Sequence, residues 1–442
     1  VSNDLEVSLA PERLDEGAQE ERATFGLIVI RTAHASLTEG FDFYLNGYRA
    51  GPLASGYHLA EWLTWNWWRL RWEPRSDAAD WALAHAMTSI GEGYVWPNIE
   101  IWSDGVRTAI ISKPSLRPDA KPFRYIGGPP TIVPSTVFEG ALDAFIPRIV
   151  GRLRDEGVSD TNLDRVWRDV LGEREAPALA KRRRLEALMG RDPDSVDDDA
   201  VDVLVRDEGR LGETAIVEVA AERAQTLRKE HGLLTATAFD RMAETSGFDS
   251  SVRDAVRLGS EVMLGRTADV PAWKLGAAAA QAIRQQERFG AAPISDSQLA
   301  RMAGVGQDVL AREPRRSASL SFTLDERTGP GSKVVLRSKW EAGRRFDLAR
   351  LIGDRLLNPA GALHPATRAY TYRQKAQRAF AAELLSPFEA VDDMLGGDYS
   401  PENQQDVADN FRVSPLTVNT LLKNHGRIER ADDDEEYSMM AA

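Results

Sequence analysis

The sequence predicts an α+β fold, mostly helical, and three observations carry that prediction. Apolar residues recur at helical spacing through most of the chain from Pro134 onward. A few short branched runs alternate as strands do, two of them around Asp104 and Gly105, where Asp-Gly marks a hairpin. Eight tryptophans crowd between Tyr57 and Trp102, which predicts a small Trp-rich α+β domain near the N-terminus. The expected order is that domain, a helical middle, and a C-terminal domain with a short sheet and a terminal helical pair.

Residues 1–22 are polar and acidic and read as a flexible solvated arm. The branched run at 26–30 reads as a buried strand. Residues 58–72 read as one helix with Trp65, Trp68 and Trp72 on one face, ended by Pro74. A second helix is expected at 77–89, then hairpin strands at 98–102 and 106–112. The Trp cluster suits either a stacking platform for bases or peptides, or plain core. Core is the favoured reading, because aromatic helix faces usually pack inward.

Helices follow at 139–154, 162–171, 179–189 and 200–206. Lys181, Arg182, Arg183 and Arg184 form a basic run, either a phosphate-binding patch or a solvated helix face. The Asp-rich stretch 190–199 reads as a linker. Further helices are expected at 235–245, 249–263 and 273–287. Ser295 is the expected N-cap of a helix at 298–303. Strands at 317–324 and 333–337 precede helices at 346–357 and 372–385. The domains expected are thus an arm (1–22), an N-terminal domain of unknown function (23–190), a helical connector (200–270), a C-terminal domain (271–428) and a disordered acidic tail (429–442).

Composition narrows the chemistry. The 442 residues hold no cysteine, which rules out disulfides, thiolate metal sites and thiol nucleophiles. The six histidines, His34, His58, His85, His231, His364 and His425, are scattered with no pair at metal-binding spacing. A net charge of −13 repels nucleic acid over most of the surface. There is no apolar run long enough to span a bilayer and no leader-like N-terminus, so a soluble cytoplasmic protein without a membrane partner is expected.

Four ordered pieces of the C-terminal third carry a further signal. These are Pro271, Trp273, Gly276, Ile283 and Arg284; then Ile294, Leu299 and Gly304; then Arg344, Arg345, Phe346, Leu348, Ala349, Arg350, Leu351, Gly353 and Asp354; then Phe380, Ala381, Ala382, Glu383, Leu384, Leu385 and Pro387. Together they resemble the ImmA/IrrE family of zinc peptidases: the third piece sits where the family has R-R-F-x-L-A-H-E-x-G-H, and the fourth follows its F-A-A-E-L-L-x-P helix. The resemblance implies a zincin-like domain. It also implies that Arg350 and Asp354 stand at the two histidine ligand positions, Leu351 at the general base, and Gln374 at the third ligand. Arg stays protonated and offers no lone pair, and Leu cannot take a proton from water. The expectation is a degenerate site without metal, cofactor or catalytic residues.

Arg350 and Asp354 are four apart on one helix, so they are expected to pair across the degenerate site, with Gln374 bonding to either. Asp347, Asp354, His364 and Glu383 are the residues from which a relocated metal site would have to be built. Near the C-terminus, 404–424 has helix-turn-helix spacing, with Ser414 as N-cap and Pro415 at the first helical position. Its second helix is expected to expose Thr417, Asn419, Thr420, Lys423 and Asn424, residue types that contact bases.

These readings favour a non-catalytic, ImmA/IrrE-like protein that binds or regulates another protein, with the strands at 317–337 offering an edge for strand addition. A DNA-binding regulator using the terminal helical pair is the first alternative. A metallopeptidase with atypical ligands is the second.

Overall fold

The computed structural model describes residues 5–117, 121–195, 198–225, 234–259, 270–311, 318–326 and 331–429. It is an α+β protein, about half helical, with eighteen α-helices and four small antiparallel sheets among the described residues. The chain divides into two compact units, residues 1–197 and 198–442. No helix among the described residues is long and apolar enough to cross a membrane.

The first unit opens with β1 (Leu5–Pro11), α1 (Gln19–Thr24) and β2 (Phe25–Thr32). β1 pairs along its whole length with β2, from Leu5 opposite Thr32 to Pro11 opposite Gly26. Seven residues of the expected acidic arm, 5–11, are therefore an edge strand, and residues 1–4 lie outside the described residues. Alternation hides it, because Val7 points into the core while Glu6 and Ser8 face outward or sit half-buried. β3 (Gly40–Asp42), β4 (Gly47–Arg49) and β5 (Leu53–Ser55) follow.

Next come α2 (Gly56–Trp65), capped by Ser55, and α3 (Trp67–Trp72). The single helix expected here is interrupted at Asn66, whose side-chain amide donates to the Trp62 carbonyl at 2.9 Å. The buried stripe is Trp62, Trp67 and Trp68 rather than the expected set, and Trp65 is 55% exposed. With Trp81, Trp96 and Trp102 also buried, the cluster is core. α4 (Trp81–His85) and one 3₁₀ turn occupy the segment expected as a longer helix. The hairpin forms as expected from β6 (Asn98–Ser103) and β7 (Arg107–Lys113), with Asp104 Oδ1 accepting from the Val106 and Arg107 amides. β8 (Phe123–Tyr125) joins β3, and β9 (Thr131–Pro134) joins β7. Three helices close the unit: α5 (Ser135–Asp155), α6 (Asn162–Glu175) and α7 (Pro177–Leu188).

The second unit begins with α8 (Asp198–Leu211), α9 (Glu213–Gln225) and α10 (Ala236–Ser246). The helix expected from residue 249 is instead β10 (Phe248–Ser251) followed by turns, and residues 260–263 of that expectation lie outside the described residues. Pairing of Phe248 through Ser251 with a partner strand overrides the local helical pattern. Then come α11 (Ala272–Gln286), α12 (Asp296–Met302), α13 (Asp308–Ala311), β11 (Ser321–Asp325), β12 (Gly331–Val335), α14 (Glu341–Leu357) and β13 (Leu363–Ala366). Ser295 caps α12 through a capping box with Gln298, as expected. The chain continues through α15 (Tyr372–Leu385), α16 (Phe388–Leu395), α17 (Pro401–Phe411) and α18 (Pro415–Asn424). The tail beyond residue 429 lies outside the described residues.

The four-stranded sheet runs β10-β12-β11-β13. α14 and α15 pack on each other, with Leu348, Leu351, Ile352, Phe380 and Leu384 in one core. α11 lies so close to α15 that a Cβ at Gly276 would sit 2.2 Å from the Ala376 carbonyl oxygen. Gly276→Ala should therefore destabilise this unit by about 1–3 kcal/mol through overpacking. A urea melt of the variant checks this, and an unchanged midpoint would mean that the helices can part without cost.

Candidate functional site

Two arginines at the start of α14 fix where that helix lies. Arg344 donates through Nε and Nη2 to the Leu310 carbonyl at 3.1 and 2.9 Å. Arg345, fully buried, donates to the Ile294 carbonyl at 2.6 Å and pairs with Asp296. α14 then carries Arg350, Leu351 and Asp354 into the interior of the unit.

The expected Arg350–Asp354 pair is not formed, although both side chains are buried. Arg350 Nη2 donates to the Thr367 carbonyl at 2.7 Å and to Gln374 Oε1 at 2.6 Å, with Gln377 Oε1 at 3.5 Å. Asp354 turns the other way. It accepts from Arg373 Nε at 2.7 Å and from Asn358 Nδ2 at 3.0 Å, and His364 Nδ1 lies 3.0 Å from its Oδ2. Residues four apart on a helix can meet, but partners from other elements win when they bring better geometry. Gln374 does bond to Arg350, and His364 does reach α14, both as the sequence suggested. Leu351 is core, 1% exposed.

The electrostatics follow the partners. Burial, and after it the nearby Arg378, pulls the Arg350 guanidinium down to about 9. Burial alone would raise the Asp354 carboxyl, but Arg373 and then His364 outweigh it and hold it well below the usual carboxylate range. Two acids that sequence reasoning missed complete this region. Glu218, on α9, accepts from Thr371 Oγ1 at 2.7 Å, and Glu222 accepts from the Arg368 amide at 2.6 Å. Burial raises the pKa of both. Their spacing, four apart on an Ala-rich buried helix, is the one sequence signal that could have singled them out.

A zinc ion does not fit the residues at 350, 351, 354 and 374. One is a buried cation, one is aliphatic, and the oxygens of the other two are already engaged by N–H donors. Among the described residues no cluster of three or more His, Asp or Glu could hold a metal. Of the residues considered for a relocated site, only Asp354 and His364 meet. Asp347 accepts from Ser321 Oγ at 2.6 Å, and Glu383 accepts from Gln281 Nε2 at 2.9 Å.

The strand edge is also elsewhere than expected. β11 and β12 are the inner strands, and the edges are β10 and β13. β13 is buried along its length. The Pro365 carbonyl accepts from Gln374 Nε2 at 3.0 Å and Gln377 Nε2 at 3.2 Å, while the Thr367 amide donates to Gln374 Oε1 at 2.9 Å. Side chains of α15 thus take backbone groups that an added peptide strand would need.

The residues expected to contact DNA do not form an outward face. Thr417 is buried and its hydroxyl lies 3.0 Å from Ser414 Oγ. Asn419 donates to Gln404 at 3.1 Å, and Thr420 donates to the Leu416 carbonyl at 2.8 Å. Thr417, Thr420 and Asn424 line a cavity inside the second unit, while Lys423 is half-buried outside it. Leu416, with no polar side chain, is the residue that α18 leaves 73% exposed. The basic run of α7 is likewise no phosphate patch. Arg183 is caged by Glu173, Glu186 and Asp194, and Arg184 stacks over Trp72 at 4.2 Å.

The fold and site thus define an α+β protein with a buried polar cluster in its second unit. Compared with known proteins, the chain matches no family model, no curated protein and no solved structure.

Proposed function

We infer that the chain is a non-catalytic binding or regulatory protein, that residues 271–428 within its second unit are a degenerate ImmA/IrrE-like, zincin-like domain, and that its partner is another protein. One observation carries this reading. The positions that the sequence resemblance assigns to metal are taken up by two sets of buried contacts, Arg350 with Gln374 and Asp354 with Arg373 and His364, and the position assigned to the base is the core residue Leu351. A hydrolytic site must keep a polarising group and a position for water and substrate. Here the side-chain oxygens of Asp354 and Gln374 are already taken by protein donors, and the neighbouring strand backbone is occupied as well. What such a domain retains is a rigid body with a surface, which suits recognition.

The test uses the purified full chain. With zinc added and excess removed, we expect no stoichiometric metal and no chelator-sensitive cleavage of unfolded casein. A partner found by cross-linking in cells should bind the purified protein equally with and without chelator, and should remain intact. One equivalent of zinc, with cleavage abolished by Asp354→Asn, would overturn the reading.

A further inference from the structure

The cavity touched by α18 has the features of a ligand site. It lies between α11, the first turn of α14, α15 and α18, and its volume is about 360 Å³. It exists because side chains of one carbon or none line it: Ala277, Ala342, Gly343, Ala379 and Ala382. Trp273, Phe346 and Tyr370 supply flat apolar walls. That size and lining fall in the range of small-molecule pockets.

The Lys, Arg and Glu side chains of the lining all come from α15. Lys375 and Arg378, three apart on α15, both line the cavity. Arg378 is held in place by the Arg368 and Ala369 carbonyls, each 2.8 Å from its Nη2, and lies over the Tyr370 ring at 5.2 Å. The opposing charge is Glu383, whose oxygens accept from Gln281 Nε2 at 2.9 Å and from the Phe388 amide at 3.2 Å. Asn424 also lines the cavity, and its Oδ1 is buried with no hydrogen-bond partner among the described residues. A buried amide with one end unmet is costly unless something completes it. A half-turn of that amide exchanges acceptor for donor.

We propose that this cavity binds a small organic acid with an aromatic body. Its carboxylate faces Lys375 and Arg378, and its ring lies against Trp273 and Phe346, with Asn424 completing the polar contacts. Two cations in an otherwise acidic chain select an anion. Aromatic walls in a space this small select a flat body over an extended chain. The proposal does not rest on the zinc-peptidase reading, since none of the degenerate metal positions lines the cavity.

Calorimetric titration of the full chain with 2-naphthoate tests it, with neutral 2-naphthamide as comparator. One equivalent of naphthoate should bind, and the amide should bind about tenfold more weakly or worse, as befits loss of a charge-assisted hydrogen bond. Ala277→Phe, which fills the cavity, should lower affinity at least about tenfold at an unchanged melting temperature. Ala278→Phe, on the exposed side of the same helix, should bind as the parent does. Should Ala277→Phe not fold, Ala342→Phe fills the same space from α14. Equal binding of acid and amide, undiminished binding by the filled variant, or no binding of naphthoate up to its solubility overturns the proposal.

Discussion

Asp354→Ala should destabilise the second unit by about 3–5 kcal/mol, the cost of leaving buried charges without their partner. The residue is fully buried, and its carboxylate is what Arg373 and His364 share. Removing it strands a guanidinium 9% exposed and an imidazole fully buried. His364 has no second acid at comparable distance, since its next contact, Asp325, is 3.8 Å away. Asp354→Asn should cost less, because an amide oxygen still accepts, though it no longer neutralises. Hydrogen exchange of the α14 and α15 amides, followed against urea, locates the loss. The pH dependence has a definite sign. A carboxyl held below its ordinary value contributes stability that is fully present above its unfolded pKa of about 4 and is lost as pH falls through the folded value. The parent should therefore lose stability steeply below about pH 4, and the alanine variant less steeply. A variant as stable as the parent at neutral pH would mean that Arg373 and His364 reach water when Asp354 is absent.

The same site shows what the sequence discloses and what it withholds. α14 and α15 are legible because their apolar spacing is local, and Ser295 and Asp104 are legible because capping boxes and Asx turns are local too. The pairing of Arg350 with Asp354 was inferred from the same local rule and fails. Their actual partners arrive from Thr367, Gln374, His364 and Arg373, ten to twenty-four residues away in sequence. Nothing in a helical repeat announces such competitors. β10 is missed for a related reason, since its strand character comes from β12 across the sheet rather than from its own residues. α18 and its Ser414 cap are legible, but its exposed face is not, because polar residue types do not by themselves mark a solvent face. Threonine hydroxyls can bond within their own helix turn, which lets Thr417 and Thr420 face a cavity at little polar cost.

Glu73→Ala should be the counterpart in the first unit, again costing about 3–5 kcal/mol. Glu73 is completely buried and occupies the centre of an arrangement that repeats the logic of Asp354: one carboxylate between an arginine and a histidine. It accepts from Arg69 Nε at 2.6 Å and Nη2 at 3.3 Å, and His85 Nε2 lies 2.9 Å from its Oε2. Burial would raise the Glu73 carboxyl, but His85 and then Arg69 outweigh it and hold it low. His85 has no room to turn toward another acceptor. Its Nδ1 is 2.6 Å from the Ile101 carbonyl and its ring stacks on Trp81 at 4.3 Å. Loss of the carboxylate therefore disturbs a ring packed against the tryptophan core. Nine of the eleven tryptophans lie in this unit, so its unfolding is read directly by tryptophan fluorescence. The variant's fluorescence transition should move to lower urea. The exchange of α14 and α15 amides should stay unchanged if each compact unit keeps its own stability, as separate cores permit. A Glu73→Ala transition coincident with the parent's would show that Arg69 can satisfy itself through Asp192, whose Oδ1 already lies 3.3 Å away.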